Sequence, residues 1–120
     1  MLPITRLYAD EHGDARFQDI EISFAPDDPR PDVMSVSEPW RASAVLFGRG
    51  PAGGSHPEHQ RQLIVGISGT VEITATGETR IFRPGDVLLV EDTTGVGHSS
   101  RSSEGFIAAV VQLEPPHAAR

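Results

Sequence analysis

Apolar residues occur in short runs separated by turn signals along most of the chain. From residue 40 onward the runs recur roughly every 8–12 residues, a spacing typical of all-β sandwiches and barrels. No stretch keeps a helical period over the length of an ordinary helix. The pattern therefore predicts an all-β fold in a single domain. The predicted strands are Ile4–Tyr8, Phe17–Phe24, Ala44–Phe47, Leu63–Ile67, Val71–Ala75, Arg80–Phe82, Val87–Val90 and Phe106–Leu113.

The segment 25–39 interrupts this pattern because it contains four prolines. Proline lacks an amide hydrogen and disfavours both helix and central strand, so we expect an extended segment that wraps the core. The predicted layout has three parts within one domain. Residues 1–39 hold N-terminal strands and the wrapping segment, residues 40–113 form the core, and residues 114–120 form a C-terminal tail.

Composition narrows the function classes. With a net charge of -7, the chain is not expected to have the positive surface that binding to a phosphate backbone requires, so we expect no nucleic-acid partner. No apolar run approaches the ~20 residues that span a bilayer, and the N-terminus lacks the apolar region of a secretory signal. We therefore expect no membrane partner and a cytoplasmic location. The chain has no cysteine and no lysine, which excludes disulfides, thiolate metal sites and Schiff-base chemistry.

Candidate chemistry lies in two histidine clusters. The first holds His56, Glu58, His59 and Gln62, and the second ends at His98. If the first cluster is one strand, His56, Glu58 and Gln62 share a face and His59 points away. His98 on a later strand would add a fourth group, and imidazole and carboxylate are common ligands of divalent metals. The competing interpretation is a glycine-rich surface loop that carries two histidines.

The spacing of these residues resembles the two motifs of the cupin superfamily, over residues 40–113. The first cupin motif, Gly-x5-His-x-His-x3-Glu-x6-Gly, is similar to the series Gly50, His56, Glu58, Gln62, Gly69. The second is similar to the series Gly85, Thr93, Gly95, His98, Ser102. Glu58 stands where cupins usually have the second histidine, and Gln62 stands where they usually have glutamate.

The resemblance implies a double-stranded β-helix, or jelly-roll barrel, with a central pocket. It implies a metal site of His56, Glu58, Gln62 and His98 for Fe, Mn, Ni or Zn, and a pocket without metal is the alternative. It also implies a homodimer. The N-terminal ~24 residues would then pair with the barrel edge or with the partner subunit, as is frequent in cupins.

The function expected from this resemblance is a small-molecule enzyme of the dioxygenase, isomerase, cyclase or lyase type. Its catalytic residues would be His98, His56 and Glu58. One alternative is a non-catalytic cupin that binds or senses a small molecule. Another is metal-free isomerase or cyclase chemistry, with His98 or His56 as general base and Glu58 as general acid.

Two acidic residues, Glu91 and Asp92, precede the second cluster at the end of a predicted strand. Paired acids in this position are usually part of a solvated turn, and we expect one here. The alternative is that one of them accepts a hydrogen bond from His98 and orients its ring.

Overall fold

A computed structural model describes residues 1–28, 30–50 and 55–115, and for residues 55 and 56 it describes the backbone only. The regular structure of these residues consists of short β-strands. Within these residues there is no helix, and hence none long and apolar enough to cross a membrane. The strands are β1 (Leu2–Ala9), β2 (Ala15–Ile22), β3 (Ala42–Gly50), β4 (Ser55–His56), β5 (Gln62–Gly69), β6 (Val71–Ala75), β7 (Glu78–Phe82), β8 (Val87–Glu91), β9 (His98–Arg101) and β10 (Phe106–Leu113).

The strands form two sheets. The six-stranded sheet has the order β2-β1-β8-β5-β10-β3, and the four-stranded sheet has the order β4-β9-β6-β7. From β3 to β10 the chain passes repeatedly between the two sheets, so that β3, β10, β5 and β8 face β4, β9, β6 and β7. Eight strands arranged in this way form a jelly roll, the architecture to which cupins belong. The predicted all-β, double-stranded β-helix fold is therefore confirmed.

The N-terminal hairpin of β1 and β2 extends the six-stranded sheet. Strand β1 lies parallel to β8, with Leu7 beside Val90, and antiparallel to β2. Of the two partners expected for these strands, the edge of the barrel in the same chain is the one observed. The hairpin lengthens the inner surface, because Leu7 has no exposed area and packs in the interior cluster.

Strand β8 is buried on both faces, which explains its continuous apolar run. Leu88 and Val90 point between the sheets and pack with Leu7 and Ile73 in the interior cluster. Leu89 points to the outer face of the six-stranded sheet and packs in a second cluster. Truncating a fully buried leucine such as Leu7 to alanine is expected to cost about 2–5 kcal/mol of unfolding free energy.

The proline-rich segment, described except for residue 29, contains no strand longer than an isolated bridge. Backbone hydrogen bonds join Ala25 and Val36, with N–O distances of 2.8 and 2.9 Å, and hold the segment in a loop. Trp40, at its end, packs against the outer cluster that contains Ile4, Leu89 and Leu113. The residue that follows the segment thus contributes to the outer apolar cluster.

Candidate functional site

The site is built around His98, the first residue of β9. His98 follows a turn in which Gly95 and Gly97 have positive φ angles of 78° and 74°. Its side chain points between the sheets and is only 6% exposed. A histidine in such a position needs partners for both ring nitrogens, and two carboxylates provide them.

The first carboxylate is that of Asp92, whose Oδ2 lies 2.5 Å from Nδ1 of His98. Asp92 follows β8 directly and continues the inward alternation of Leu88 and Val90, so it has no exposed surface. Its second oxygen, Oδ1, has no hydrogen-bond partner among the residues that the structure describes. Among the described residues, His98 is therefore the group that compensates the buried charge of Asp92 through a side-chain contact.

The second carboxylate is that of Glu58, whose Oε1 lies 3.4 Å from Nε2 of His98. The backbone positions it, because the amide of Glu58 donates to the carbonyl of Asp92 at 3.1 Å. Unlike Asp92, the Glu58 side chain keeps 21% of its surface exposed. The ring thus lies between an inaccessible carboxylate on one side and a partly accessible one on the other.

These contacts determine the protonation of His98. Burial lowers the pKa of the imidazole, but the hydrogen bonds and charges of Asp92 and Glu58 outweigh it and raise the pKa to about 9. At neutral pH the ring is therefore an imidazolium. An imidazolium donates from both nitrogens, so Nδ1 donates to Asp92 and Nε2 faces Glu58.

The first histidine cluster does not form the single strand that its spacing suggested. Strand β4 covers only residues 55 and 56 in the four-stranded sheet, whereas Gln62 begins β5 in the six-stranded sheet. The prediction that one strand presents His56, Glu58 and Gln62 on one face is therefore wrong, because the chain crosses between the sheets after His56. The side chain of His56 lies outside the described residues, and its backbone pairs with that of His98.

Gln62 and His59 take different positions relative to His98. Gln62 lies beside Val90 in the ladder, on the inward face that it shares with Ile64, and Val90 is two residues before Asp92. His59 is exposed, while its neighbour Glu58 contacts His98. Of the predicted ligands, the described contacts therefore join Glu58 and His98.

The expectation of a solvated turn is wrong for Asp92, and the alternative that an acid orients His98 is the arrangement observed. Asp92 is the one member of the cluster outside the predicted ligand and catalytic sets. Its signal in the sequence is the alternation of Leu88, Val90 and Asp92, which places all three on one face of β8.

Glu91 is not a solvated turn residue either, and it points to the outer face of the sheet. Its Oε1 accepts a hydrogen bond from Nε of Arg6 at 2.6 Å, and its Oε2 accepts one from Nε of Arg61. Burial alone would raise the pKa of Glu91, but the two arginines hold it below its usual range. The two neighbouring acids therefore lie on opposite faces of the six-stranded sheet. Glu91 binds two arginines on the outer face, and Asp92 contacts His98 on the inner face.

The donor set fits a divalent metal only in part. Catalytic metal sites usually have three protein ligands and an open position. Among the described residues no group of three histidine, cysteine, aspartate or glutamate side chains could hold a metal ion. Nε2 of His98, once its proton is lost to a metal ion, and Oε1 of Glu58 would supply two adjacent donors, and Asp92 on Nδ1 is the kind of outer partner that orients a ligating histidine.

The interior of the jelly roll contains a small apolar cavity. A cavity of about 30 Å³ lies there between Ile64, Ile73, Phe82 and Phe106, which is room for about one water molecule. Leu46 of β3 lies in the inward row of Val110, Ile64 and Leu88 and is nevertheless 43% exposed. Leu46 is therefore the solvent-exposed member of that inward row.

Solved structures with folds similar to this chain include the three that follow. No family model matches the chain, and no curated protein matches it. A protein of unknown function from Rhizobium leguminosarum bv. viciae 3841 is 24% identical, with a TM-score of 0.48, over 59% of this chain and 69% of that one. The conserved SPY1581 protein of unknown function from Streptococcus pyogenes is 23% identical, with a TM-score of 0.48, over 59% and 63%.

The third similar structure is the cupin domain of Cnp3 from Schizosaccharomyces pombe. It is 13% identical, with a TM-score of 0.43, and the alignment covers 95% of this chain and 86% of that domain. At this level of identity, all three structures are similar to the chain in fold alone. By the strand order of its own two sheets, the chain has a cupin-like fold.

Proposed function

We propose that this chain is a small-molecule enzyme in which His98 and Glu58 carry out proton transfer. The observation that supports the proposal most strongly is the asymmetric environment of the His98 ring. Its Nδ1 contacts the inaccessible carboxylate of Asp92, and its Nε2 faces the partly exposed carboxylate of Glu58. A ligand would therefore approach the Nε2 side, where the carboxylate of Glu58 is partly exposed.

The chemistry suited to this arrangement begins with abstraction of a proton next to a carbonyl group. Glu58 takes the proton from carbon, the electron pair of the broken C–H bond forms a carbon–carbon double bond, and the π pair of the carbonyl moves onto its oxygen. The imidazolium of His98 donates a hydrogen bond from Nε2 to that oxygen and stabilises its negative charge. Return of the proton from Glu58 to a different atom completes an isomerisation. Asp92 is a positioning residue, because it holds the ring and its charge without reaching the ligand.

These roles reverse the assignment expected from the sequence. The sequence hypothesis made His98 or His56 the general base and Glu58 the general acid. The pKa of about 9 keeps His98 protonated at neutral pH, so it suits the donor, and the carboxylate of Glu58 suits the base. The earlier assignment stays a hypothesis for a state in which a ligand has displaced Glu58 from the ring.

A metal-dependent enzyme is the second candidate, favoured by the contact of Asp92 with Nδ1 of His98. That contact is the one that would direct Nε2 toward a metal ion. The proposed ligands remain His56, Glu58, Gln62 and His98, with Fe, Mn, Ni or Zn. When bound, such a metal would polarise an oxygen of the ligand. A binding or sensor protein without turnover is the third candidate and uses the same residues.

Hydrogen exchange tests the proton-transfer proposal without knowledge of the natural substrate. The protein is incubated in D2O with a panel of small 2-oxo acids and hydroxyketones, and loss of the α-hydrogen signal is followed by proton NMR. We expect exchange with the wild type and a loss of at least about 100-fold in Glu58→Gln and His98→Gln. His59→Gln is the matched control, because His59 is exposed beside Glu58, and it should retain full exchange.

Elemental analysis separates the metal-dependent candidate from the others. Tag-free protein is reconstituted with each of the four metals, passed through a desalting column and analysed. About one bound equivalent in the wild type and His59→Gln, lost in Glu58→Gln and His98→Gln, would favour the metal site. Binding of probe molecules without hydrogen exchange, and without metal, would contradict the enzyme proposal and favour the binding protein.

A further inference from the structure

Strand β3 is an exposed edge of the six-stranded sheet. In the described part of the chain it pairs with β10 on one side and with no strand on the other. Three consecutive apolar residues at its centre are open to solvent, with Val45 63%, Leu46 43% and Phe47 72% exposed. Alternate residues of a strand point to opposite faces, so β3 presents apolar side chains on both faces beside a free backbone edge.

The other sheet edges are protected in ways that β3 is not. Exposed edges normally carry charges or are very short, which prevents pairing with another chain. Edge strand β2 carries Arg16, Asp19 and Glu21, edge strand β7 carries Glu78 and Arg80, and β4 has only two residues. Strand β3 has nine residues, and its one charge is Arg49 near the end. Among the described residues, the β3 edge therefore lacks the protection that the other edges have.

We propose that this edge is covered by a second copy of this chain, which docks by antiparallel pairing of β3 with β3. Two identical strands paired antiparallel are related by a two-fold axis, so the contact closes at a dimer. The N-terminal strands are already paired with β8 in their own chain, so the proposed dimer does not depend on them. This inference is independent of the proposed proton-transfer chemistry.

The sequence of β3 favours one register for this pairing. With the two-fold axis at Leu46, Phe47 of each chain lies opposite Val45 of the other, an aromatic and β-branched pair that stabilises antiparallel sheets. Arg49 then lies opposite Ser43. Moving the axis to Val45 would set Arg49 against Arg41, and moving it to Phe47 would set Arg49 against Val45. The Leu46 register therefore joins apolar residues and avoids contact between like charges.

The neighbouring surface extends this contact. Phe47 is next to Ala109 of β10, and Ala109 is next to Val65 of β5, on the outer face of the sheet. No acidic residue interrupts that row, although the chain carries a net charge of -7. A two-fold interface places the same surface of both subunits in contact. A surface without acidic residues can therefore pair with itself without repulsion between carboxylates.

Sedimentation velocity across a wide concentration range tests the dimer. We expect the wild type to sediment with twice the mass of one chain, and Phe47→Lys to sediment as a monomer, because it places two lysines at the paired edges. Ile81→Lys is the matched control, since Ile81 is 47% exposed on edge strand β7, and it should remain dimeric. A monomeric wild type at every concentration, or equal dissociation of both variants, would overturn the proposal.

Disulfide cross-linking tests the register on an otherwise native chain. The natural sequence has no cysteine, so each single-cysteine variant contains one thiol. Directly opposed strand residues have Cα atoms about 4.5–5.5 Å apart, within the range that a disulfide requires. We expect Leu46→Cys to form a covalent dimer on mild oxidation about tenfold or more faster than Ile81→Cys, because the pairing raises the local thiol concentration. Equal rates for the two variants would contradict pairing through β3.

Discussion

The imidazole of His98 and the carboxylate of Asp92 are joined at 2.5 Å in a place that solvent does not reach. A carboxylate removed from water costs several kcal/mol unless a positive partner compensates it. Because Oδ1 of Asp92 has no partner among the described residues, this compensation depends on the charge of His98. The protonation of His98 and the stability of the fold are therefore linked.

The first prediction concerns stability at alkaline pH. The pKa of His98 is raised from 6.5 to about 9 on folding, so the contribution of the imidazolium is fully present below pH 6.5. It is lost as the pH rises through about 9, because the folded protein then loses a proton that the unfolded chain has already lost. We expect the free energy of unfolding, measured with urea, to fall over this window by a few kcal/mol, on the order expected from the linkage.

The matching control is His98→Gln, which should be less stable at neutral pH and should show a flat profile between pH 7 and 9. The chain contains no lysine and no cysteine, so few other side chains titrate there. A wild-type profile that is equally flat would contradict a charged, paired His98.

The second prediction concerns Asp92→Asn, which removes the buried negative charge at nearly constant volume. We expect a loss of about 3–5 kcal/mol in the free energy of unfolding, because one partner of a buried pair is lost. The pKa of His98, followed by NMR of its ring, should move down, since the carboxylate that raises it is gone. Asp28→Asn, at an exposed position, is the control and should change neither quantity.

Strands could be predicted from the sequence where apolar residues alternate with polar ones or form a continuous run. The bounds expected for β6 and β10, Val71–Ala75 and Phe106–Leu113, are confirmed. Strands β4 and β9 are absent from the pattern of apolar runs because their residues are mostly polar and each strand is short, and only the histidine hypothesis places strands at His56 and His98. The parallel pairing of β1 with β8 joins residues more than eighty positions apart, which no local period encodes.

The site was predicted only in part, for two physical reasons. The pairing of Glu58 with His98 was anticipated as convergence, but the shared strand was not correct, since the chain changes sheets between His56 and Gln62. Asp92 was expected in a turn because acids at strand ends are usually solvated. The sequence contains the inward alternation from Val90 to Asp92, but only the packing of two sheets shows that this face stays buried beyond β8.

The third prediction concerns Glu91→Gln, on the outer face of the same strand. Glu91 holds Arg6 and Arg61, and its side chain is only 17% exposed, so the uncharged variant should lose about 2 kcal/mol at pH 7. The lowered pKa of Glu91 means that its contribution is present above about pH 4.5 and is lost as the pH falls through the lower folded value. The difference between variant and wild type in urea unfolding should therefore shrink toward pH 3.

Glu78→Gln provides the comparison, because Glu78 forms a more exposed ion pair with Arg80. Exposed pairs contribute about 0–1 kcal/mol, so this variant should be close to wild type at every pH. An equal loss of unfolding free energy in both variants would contradict a larger contribution from the more buried pairs of Glu91.

The last prediction uses two glycines with almost the same backbone angle in different surroundings. Gly95 has a φ of 78° in the turn before His98, and a Cβ there would lie 2.2 Å from the carbonyl oxygen of Gly13. Gly77 has a φ of 76°, and a Cβ there would meet no atom within 4 Å. Alanine at either position costs about 1–2 kcal/mol in backbone strain.

At position 95 the added atom must also displace the hairpin between β1 and β2, whose Gly13 carbonyl accepts a hydrogen bond from the amide of Val96 at 2.9 Å. We therefore expect Gly95→Ala to lose a further ~1–3 kcal/mol beyond Gly77→Ala, measured by urea unfolding. The same displacement should weaken the contact of His98 with Asp92, because only two residues separate Gly95 from His98. The NMR titration of His98 should consequently shift in Gly95→Ala and stay at its wild-type value in Gly77→Ala, and equal behaviour of the two variants would contradict this coupling between the hairpin and the site.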